Sequence, residues 1–259
     1  MRQRSPFQIT RSVVFALVLR EMRSRFGRMR LGALWVVLEP MAHMAALATL
    51  VSLRGATSIG YDFFVWLLVG IAPFLLFKNI ALKLMNSVDA NKSLFSYKQI
   101  QPADAFAART IVEFCISAIV FMFLYIGLTW HGHDTAIHDS ILWLTFLGLG
   151  IVFSFAFGIL LALIAEAVPE TKFVLTLLFL PLYFLSGIVF SLHRIPEEYM
   201  KYILWNPYLH IVDLIRESTF KHYRPYDGVS AMYVVECTIV FMFLACAIYR
   251  VRRFRLMAL

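Results

Sequence analysis

The sequence predicts an all-α polytopic membrane protein. It has six transmembrane helices, an N-terminal amphipathic helix in the interface, and two short re-entrant helices between the fifth and sixth spans. Three observations predict it. Of 259 residues, 61% are hydrophobic and only 15% charged, whereas a soluble domain carries roughly 25% charged residues. Apolar runs of about 20 residues recur, the length that crosses a hydrocarbon core of about 30 Å. Between the last two runs, residues 195–218 are too polar and broken to span, yet too apolar for an ordinary loop. The chain reads as one domain: 1–31 an interfacial helix, 32–192 spans one to five, 193–228 the outer helices, 229–250 the sixth span and 251–259 a tail.

The elements follow in order. The start "MRQRSPFQITR" is basic but leads into no short apolar core with a cleavage site, so no cleaved signal is expected. In "FALVLREMRSRF", Phe15, Leu19, Met22 and Phe26 share one helical face while Arg20 and Ser24 point away. That predicts a helix in the interface, its arginines towards headgroups or a partner. The spans are approximately 32–53, 63–84, 109–130, 141–165, 171–192 and 229–249.

In the first span, Trp35, Glu39 and His43 lie at i, i+4 and i+8 beside Pro40. Two readings stand: a polar stripe facing a translocation path, or a Glu39 that caps backbone groups freed by Pro40. The connection 85–108 carries "SLFSY", which predicts one short helix, and Pro102 with Asp104 reads as the start of the next. Arg109 and Glu113, at i and i+4, read as a structural pair. In the fourth span Gly150, Ser154, Gly158 and Ala162 form a small-residue face for close helix approach, within the protomer or across a dimer. Pro181 predicts a kink in the fifth span, with Ser186-Gly187 a second soft point. Glu236 lies inside the last span.

The stretch "IPEEYMKYILWNPYLHIVDLIRES" follows the fifth span. Pro196 with Glu197 and Glu198 predicts a helix start, and Pro207 after Asn206 ends that helix and opens another capped by Asn206. In the second helix Leu209, Val212 and Ile215 share one face, with Asp213, Arg216 and Glu217 polar. Each helix would have about 10–12 residues, roughly half a span. Irregular backbone at membrane depth is tolerated only beside protein or a water-filled cavity, so the pair predicts the mouth of a pathway on the outer side.

Charge sets orientation. Of 24 Lys and Arg, 18 fall before residue 31, within 78–109, at Lys172 and from Arg250 onward. The positive-inside rule therefore places both termini in the cytoplasm. The five basic residues of 194–224 are matched by five acids between 197 and 227. The net charge of +8 is thus a topology signal and implies no nucleic-acid partner.

Several chemistries are excluded. The spacings Gly27/Gly32, Gly55/Gly60 and Gly127/Gly132 lack the following Lys and Ser/Thr that a phosphate loop needs, so any ATP is bound by another chain. Cys115, Cys237 and Cys246 have no metal-ligand spacing and read as packing residues. An integral-membrane enzyme would have to use Glu39 and His43, or His131, His133 and His138. The latter read as hydrated loop residues, with too few partners for a metal. Aromatics at Tyr61, Trp66, Trp130, Trp143, Tyr199, Tyr202, Trp205 and Tyr208 suit an interfacial belt, and some could stack on sugar rings.

Three blocks carry a family resemblance: "LREMRSRFGRMRLGALWVVLEP" followed by His43, "ANKSLFSYKQIQPADAFAAR", and "LYFLSGIVFSLHRIPEEYMKYILWNPYLHIVDLIRES". Together they resemble ABC-2 type permeases that export capsular polysaccharide, over nearly the whole chain. The resemblance implies the ABC-2, or type V exporter, fold and a bacterial inner-membrane homodimer paired with two ABC ATPase subunits. The permease itself would bind no cofactor, with ATP and Mg held by the ATPase. It implies a lipid-linked acidic polysaccharide as cargo, a periplasmic co-polymerase-like partner and an outer-membrane channel. O-antigen, teichoic acid or a small lipophilic drug would be alternative cargoes on the same fold. On these terms Arg20, Glu21, Arg23, Arg25, Leu94, Phe95 and Tyr97 would couple to the ATPase. Trp35, Glu39, His43, Tyr183 and Phe184 would line the path. Pro196, Trp205, Asn206, Pro207, Tyr208, Asp213 and Arg216 would form a periplasmic gate.

Overall fold

The fold is that of a computed structural model, which describes residues 5–26, 32–53, 60–97 and 99–258. The side chains of Pro6, 32–36, Glu39, 50–53, Phe254 and 257–258 lie outside that description. Among the described residues all regular structure is helical: α1 Pro6–Phe26, α2 Gly32–Leu53, α3 Phe63–Met85, α4 Ser87–Asn91, α5 Pro102–Trp130, α6 Ser140–Ala167, α7 Thr171–Leu177, α8 Phe179–Leu185, α9 Glu197–Met200, α10 Pro207–Thr219 and α11 Ala231–Ala258.

Helix α3 is the core. Its sequence is apolar on nearly every face, as expected of a helix surrounded by others, and it packs against α2, α5, α6 and α10. Asp62 caps it, accepting from the Phe64 and Val65 amides at 3.0 and 3.2 Å. The small-residue face of α6 is spent here, within the protomer. Gly150, Ser154, Gly158 and Ala162 are all buried. A Cβ at Gly150 would meet the Phe77 ring at 2.2 Å, and one at Gly158 the Ala81 Cα at 2.9 Å. Close backbone approach at these points is what the small residues permit.

Four helices are long and apolar enough to cross a membrane: 63–85, 102–130, 140–167 and 231–253. Their outward faces carry Ile119, Phe123, Ile239 and Phe243, all exposed. Helix α2, with 22 residues, has about 33 Å of length by its rise. The fifth apolar segment is shorter than its sequence suggests. It ends at Leu185, not 192, and breaks at Leu178 into α7 and α8. Pro181 has no N–H for the Leu177 carbonyl, which accounts for a break at this point. Gly187 follows with φ +66°, a conformation that glycine adopts without strain.

The stretch 195–218 differs from its sequence reading in two ways. The first helix is a single turn, α9, followed by turns to Trp205. The second, α10, begins at Pro207 as read, with the Asn206 side chain accepting from the Tyr208 amide at 3.1 Å. Its polar residues Asp213 and Arg216 are buried along with its apolar face. It is enclosed by α3, α6 and α11, with residues 208–216 all buried. The polar residues of α10 therefore point into protein. Arg216 is 0% exposed, with its guanidinium 3.6 Å above the Trp66 ring centre. It donates to the carbonyls of Gly187 at 2.7 Å and Ile188 at 3.3 Å. Asp213 accepts from the Tyr223 hydroxyl and, at 2.9 Å, from the Tyr226 amide. Burial pushes the Tyr223 phenol up, so it stays protonated and donates. One arginine thus ties α10 to α3 and to the turn after α8.

Candidate functional site

Helix α1 lies along α5 at one end of the bundle, and its orientation corrects the sequence reading. Phe15 and Leu19 are exposed, whereas Leu17 is buried and Val13 packs beside the core. Arg20 does not point away. It donates to the Asn91 side chain at the end of α4. Arg109 and Glu113 both turn towards α1 as well: Arg109 Nε lies 3.5 Å from Glu21 Oε2, and Glu113 forms an ion pair with Arg25. Arg109 also donates to the Lys83 carbonyl at 2.6 Å. The pairing read along α5 is thus made across to α1, which brings Arg20, Glu21 and Arg25 onto the helical body. Arg23 alone of the four charged coupling candidates on α1 is exposed.

The connection after α3 completes this end. Of "SLFSY" only Ser93 and Leu94 are helical, in the single 3₁₀ turn Lys92–Leu94 directly after α4. Phe95 is buried, Leu94 half-buried and Tyr97 exposed. A groove of about 700 Å³ separates this connection from α1, lined by Val13, Leu17, Arg20, Leu94, Tyr97 and Ile100. Three of the seven coupling candidates, Arg20, Leu94 and Tyr97, border it. The start of α5 is held by Asp104, which accepts from the Gln101 amide at 2.9 Å. Lys172 at the start of α7 pairs with Asp89 of α4, so the connection touches the first turn of the broken fifth segment.

A second groove, of about 460 Å³, runs between α2, α3 and the α7–α8 break. His43, Tyr183 and Phe184 of the path candidates line it, with the Tyr183 hydroxyl 2.6 Å from His43 Nε2. Lys78 of α3 lines it too. The side chains of Trp35 and Glu39 lie outside the described residues. Lys78 was not legible as part of a site, because only folding brings its face of α3 opposite α2 and α8.

At the opposite end, the gate candidates separate into two groups. Asn206 is buried and donates to Ser186 Oγ at 2.9 Å, and Tyr208 is buried among Phe74, Phe77 and Phe153. With Asp213 and Arg216 they hold the block together and contact no solvent. Trp205 is 53% exposed, with its carbonyl accepting from the Tyr233 hydroxyl at 2.8 Å. Pro196 precedes α9, and Pro207 is the first residue of α10. His210, which the sequence reading passed over, bridges two backbones. Its Nε2 lies 2.7 Å from the Leu204 carbonyl, and its Nδ1 accepts from the Ser230 amide at 3.0 Å. Those partners select the neutral ring with the proton on Nε2. Burial holds its pKa below the ordinary histidine value. The loop histidines do not gather. His133 pairs with the α3 cap, its Nδ1 2.7 Å from Asp62 Oδ2. Among the described residues no three His, Cys, Asp or Glu side chains cluster to hold a metal.

Known proteins resemble this chain along most of its length. Residues 12–220 match the family described as ABC-2 type transporter. The polysialic acid transport protein KpsM of Escherichia coli is 37% identical over 250 residues, covering 96% of each chain. The capsule polysaccharide export inner-membrane protein CtrC of Neisseria meningitidis is 26% identical, covering 93% of this chain and 91% of its own. Its counterpart BexB of Haemophilus influenzae is 24% identical, covering 80% and 79%.

Proposed function

We propose that this chain, which belongs to the ABC-2 type transporter family, is the inner-membrane permease subunit of an ATP-driven exporter of capsular polysaccharide. The observation that carries the reading is near-full-length similarity to capsule exporters, over a sequence without a phosphate loop of its own. Helices α2, α3, α5, α6, α7–α8 and α11 form six spans of one domain. Residues 1–31 and 251–259 lie in the cytoplasm, and the block 193–228 lies on the periplasmic side. Two copies pair with two separate ATPase subunits, which bind ATP and Mg. The charge distribution along the sequence supports this orientation.

In this reading ATP-driven motion enters through α1 and the 85–108 connection. Arg23 and Tyr97, both exposed, meet the ATPase. Arg20, Glu21 and Arg25 pass the motion to α4 and α5, to which they are bonded. Leu94 and Phe95 anchor the connection against the bundle. A lipid-linked acidic polysaccharide passes between protomers along the His43–Tyr183 groove. It leaves at the 193–228 block, where Trp205 stays available to sugar. A periplasmic co-polymerase-like protein and an outer-membrane channel carry it on.

Reconstitution of the chain with and without its ATPase tests the reading, with ATP turnover and polysaccharide movement followed together. Movement should require both. Export by the chain alone, or accumulation of O-antigen or teichoic acid precursors rather than capsule after its deletion, would reject it.

A further inference from the structure

Lys78 lies within a membrane-length helix and is unpaired among the described residues. It sits seven residues before the end of α3 at Met85, about 10 Å of helix from the nearer end. Its ammonium makes no hydrogen bond or ion pair among the described residues. The two buried arginines nearby in the fold are treated differently: Arg109 is met by Glu21 and a carbonyl, Arg216 by two carbonyls and Trp66. An ammonium at membrane depth is costly without a counter-charge. A lysine stem can carry its head some way towards water, but here Lys78 borders the groove of about 460 Å³ that also holds His43 and Tyr183. Apart from Thr176 the rest of that wall is apolar, with Phe173, Leu180 and Phe184 along the α7–α8 side.

We propose that Lys78, His43 and Tyr183 form a binding site for the oxyanion, phosphate or carboxylate, of an amphiphile whose apolar tail lies against Phe173, Leu180 and Phe184. The ammonium is the counter-charge for the oxyanion, and the bound oxyanion is the anion that Lys78 lacks among the described residues. The His43–Tyr183 pair lies 2.6 Å apart; with the proton on His43 Nε2 donated to the Tyr183 oxygen, the Tyr183 hydroxyl is left to donate to a second oxygen. The apolar wall favours an anion on a hydrocarbon tail over a free one. Identification of that amphiphile with the acidic, lipid-linked end of the cargo rests on the exporter reading; the site itself does not.

The test uses the chain with its ATPase in phosphatidylcholine nanodiscs and radiolabelled dodecyl phosphate as the probe. The wild type should bind it saturably. Lys78→Gln and Lys78→Met should weaken binding about tenfold or more, and Lys78→Arg should retain it. Lys78→Met should also raise the melting temperature without ligand, because it removes a costly unpaired charge. Equal binding by Lys78→Gln, or a lowered melting temperature with binding intact, overturns the site and makes Lys78 structural. Displacement by inorganic phosphate at equal concentration overturns the amphiphile, and loss of the signal in phosphatidylglycerol nanodiscs assigns the groove to bulk lipid and overturns the cargo link. Polysaccharide export is scored separately. A wild type that exports nothing yet binds through Lys78 would reject the exporter reading and keep the site. Export with Lys78-independent binding would do the reverse.

Discussion

Glu113 of α5 is nearly buried, with its side chain 4% exposed, and it holds Arg25 of α1 in an ion pair across 88 positions of sequence. Its neighbour one turn earlier, Arg109, holds Glu21 of the same helix. The two pairs run in opposite senses, so α1 is fixed in rotation as well as position. Removing one partner of a largely buried pair leaves an uncompensated charge. Glu113→Ala should therefore cost about 3 kcal/mol, the low end for buried pairs because Arg25 keeps some solvent. Thermal melts of the two single variants and the exchanged pair, Arg25→Glu with Glu113→Arg, measure this. The exchanged pair should recover most of the loss; strictly additive losses would show that no coupling exists.

The arginines of α1 should divide by location. Arg20→Glu and Arg25→Glu should lower the melting temperature of the chain alone, since both side chains are bonded to the bundle. Arg23→Glu should leave the melt within about 0.5 kcal/mol of wild type, as expected of an exposed site, while weakening co-purification of the ATPase. Loss of the ATPase with Arg20→Glu but not Arg23→Glu would reverse the assignment of the docking face.

Glycines of one helix should respond oppositely. A methyl at Gly158 would press on the Ala81 backbone, whereas Gly148, nearly three turns earlier, has nothing within 4 Å of its Cβ position. Gly158→Ala should destabilise by about 1–3 kcal/mol through overpacking. Gly148→Ala should be neutral or stabilising by up to about 1 kcal/mol from helix propensity. Melting curves in detergent distinguish the two.

Arg216→Lys should destabilise by roughly 2–4 kcal/mol despite keeping the charge. A lysine cannot donate in a fork to the carbonyls of Gly187 and Ile188 while stacking on Trp66. Folded yield and melting temperature report it. A wild-type melt for Arg216→Lys would show that the stacking and the fork contribute little.

Acidification should loosen the same block through His210. Burial holds its folded pKa below the ordinary value of 6.5, so the unfolded chain binds its proton first as pH falls. The stability that the neutral ring contributes is complete above about pH 6.5 and is lost as pH drops through the folded value. Stability measured from pH 8 down to 5 should fall more steeply in the wild type than in His210→Gln. Parallel curves would remove His210 as the cause.

Local chemistry accounts for what the sequence determined by itself. Helix starts at Pro102 and Pro207, the cap at Asn206 and the interruption ahead of Pro181 were legible because they depend on residues within one or two turns. The four membrane-length apolar helices were legible from composition, since a bilayer of set thickness demands apolar runs of set length. So was the close-packed face of α6, although not its partner, α3.

Tertiary structure decided the rest. Periodicity gave α1 the apolar face of Phe15 and Leu19, but packing turned inward the face whose charges found Asn91, Arg109 and Glu113. That Arg216 of α10 is taken out of water was not legible, because sequence does not reveal that Trp66 and two carbonyls receive it. Lys78 reads in the sequence only as one of the charges that set orientation; its place in a site comes from the groove that α2 and α8 form around it. A polar group's role depends on its distant partners, and only the folded chain brings those within reach.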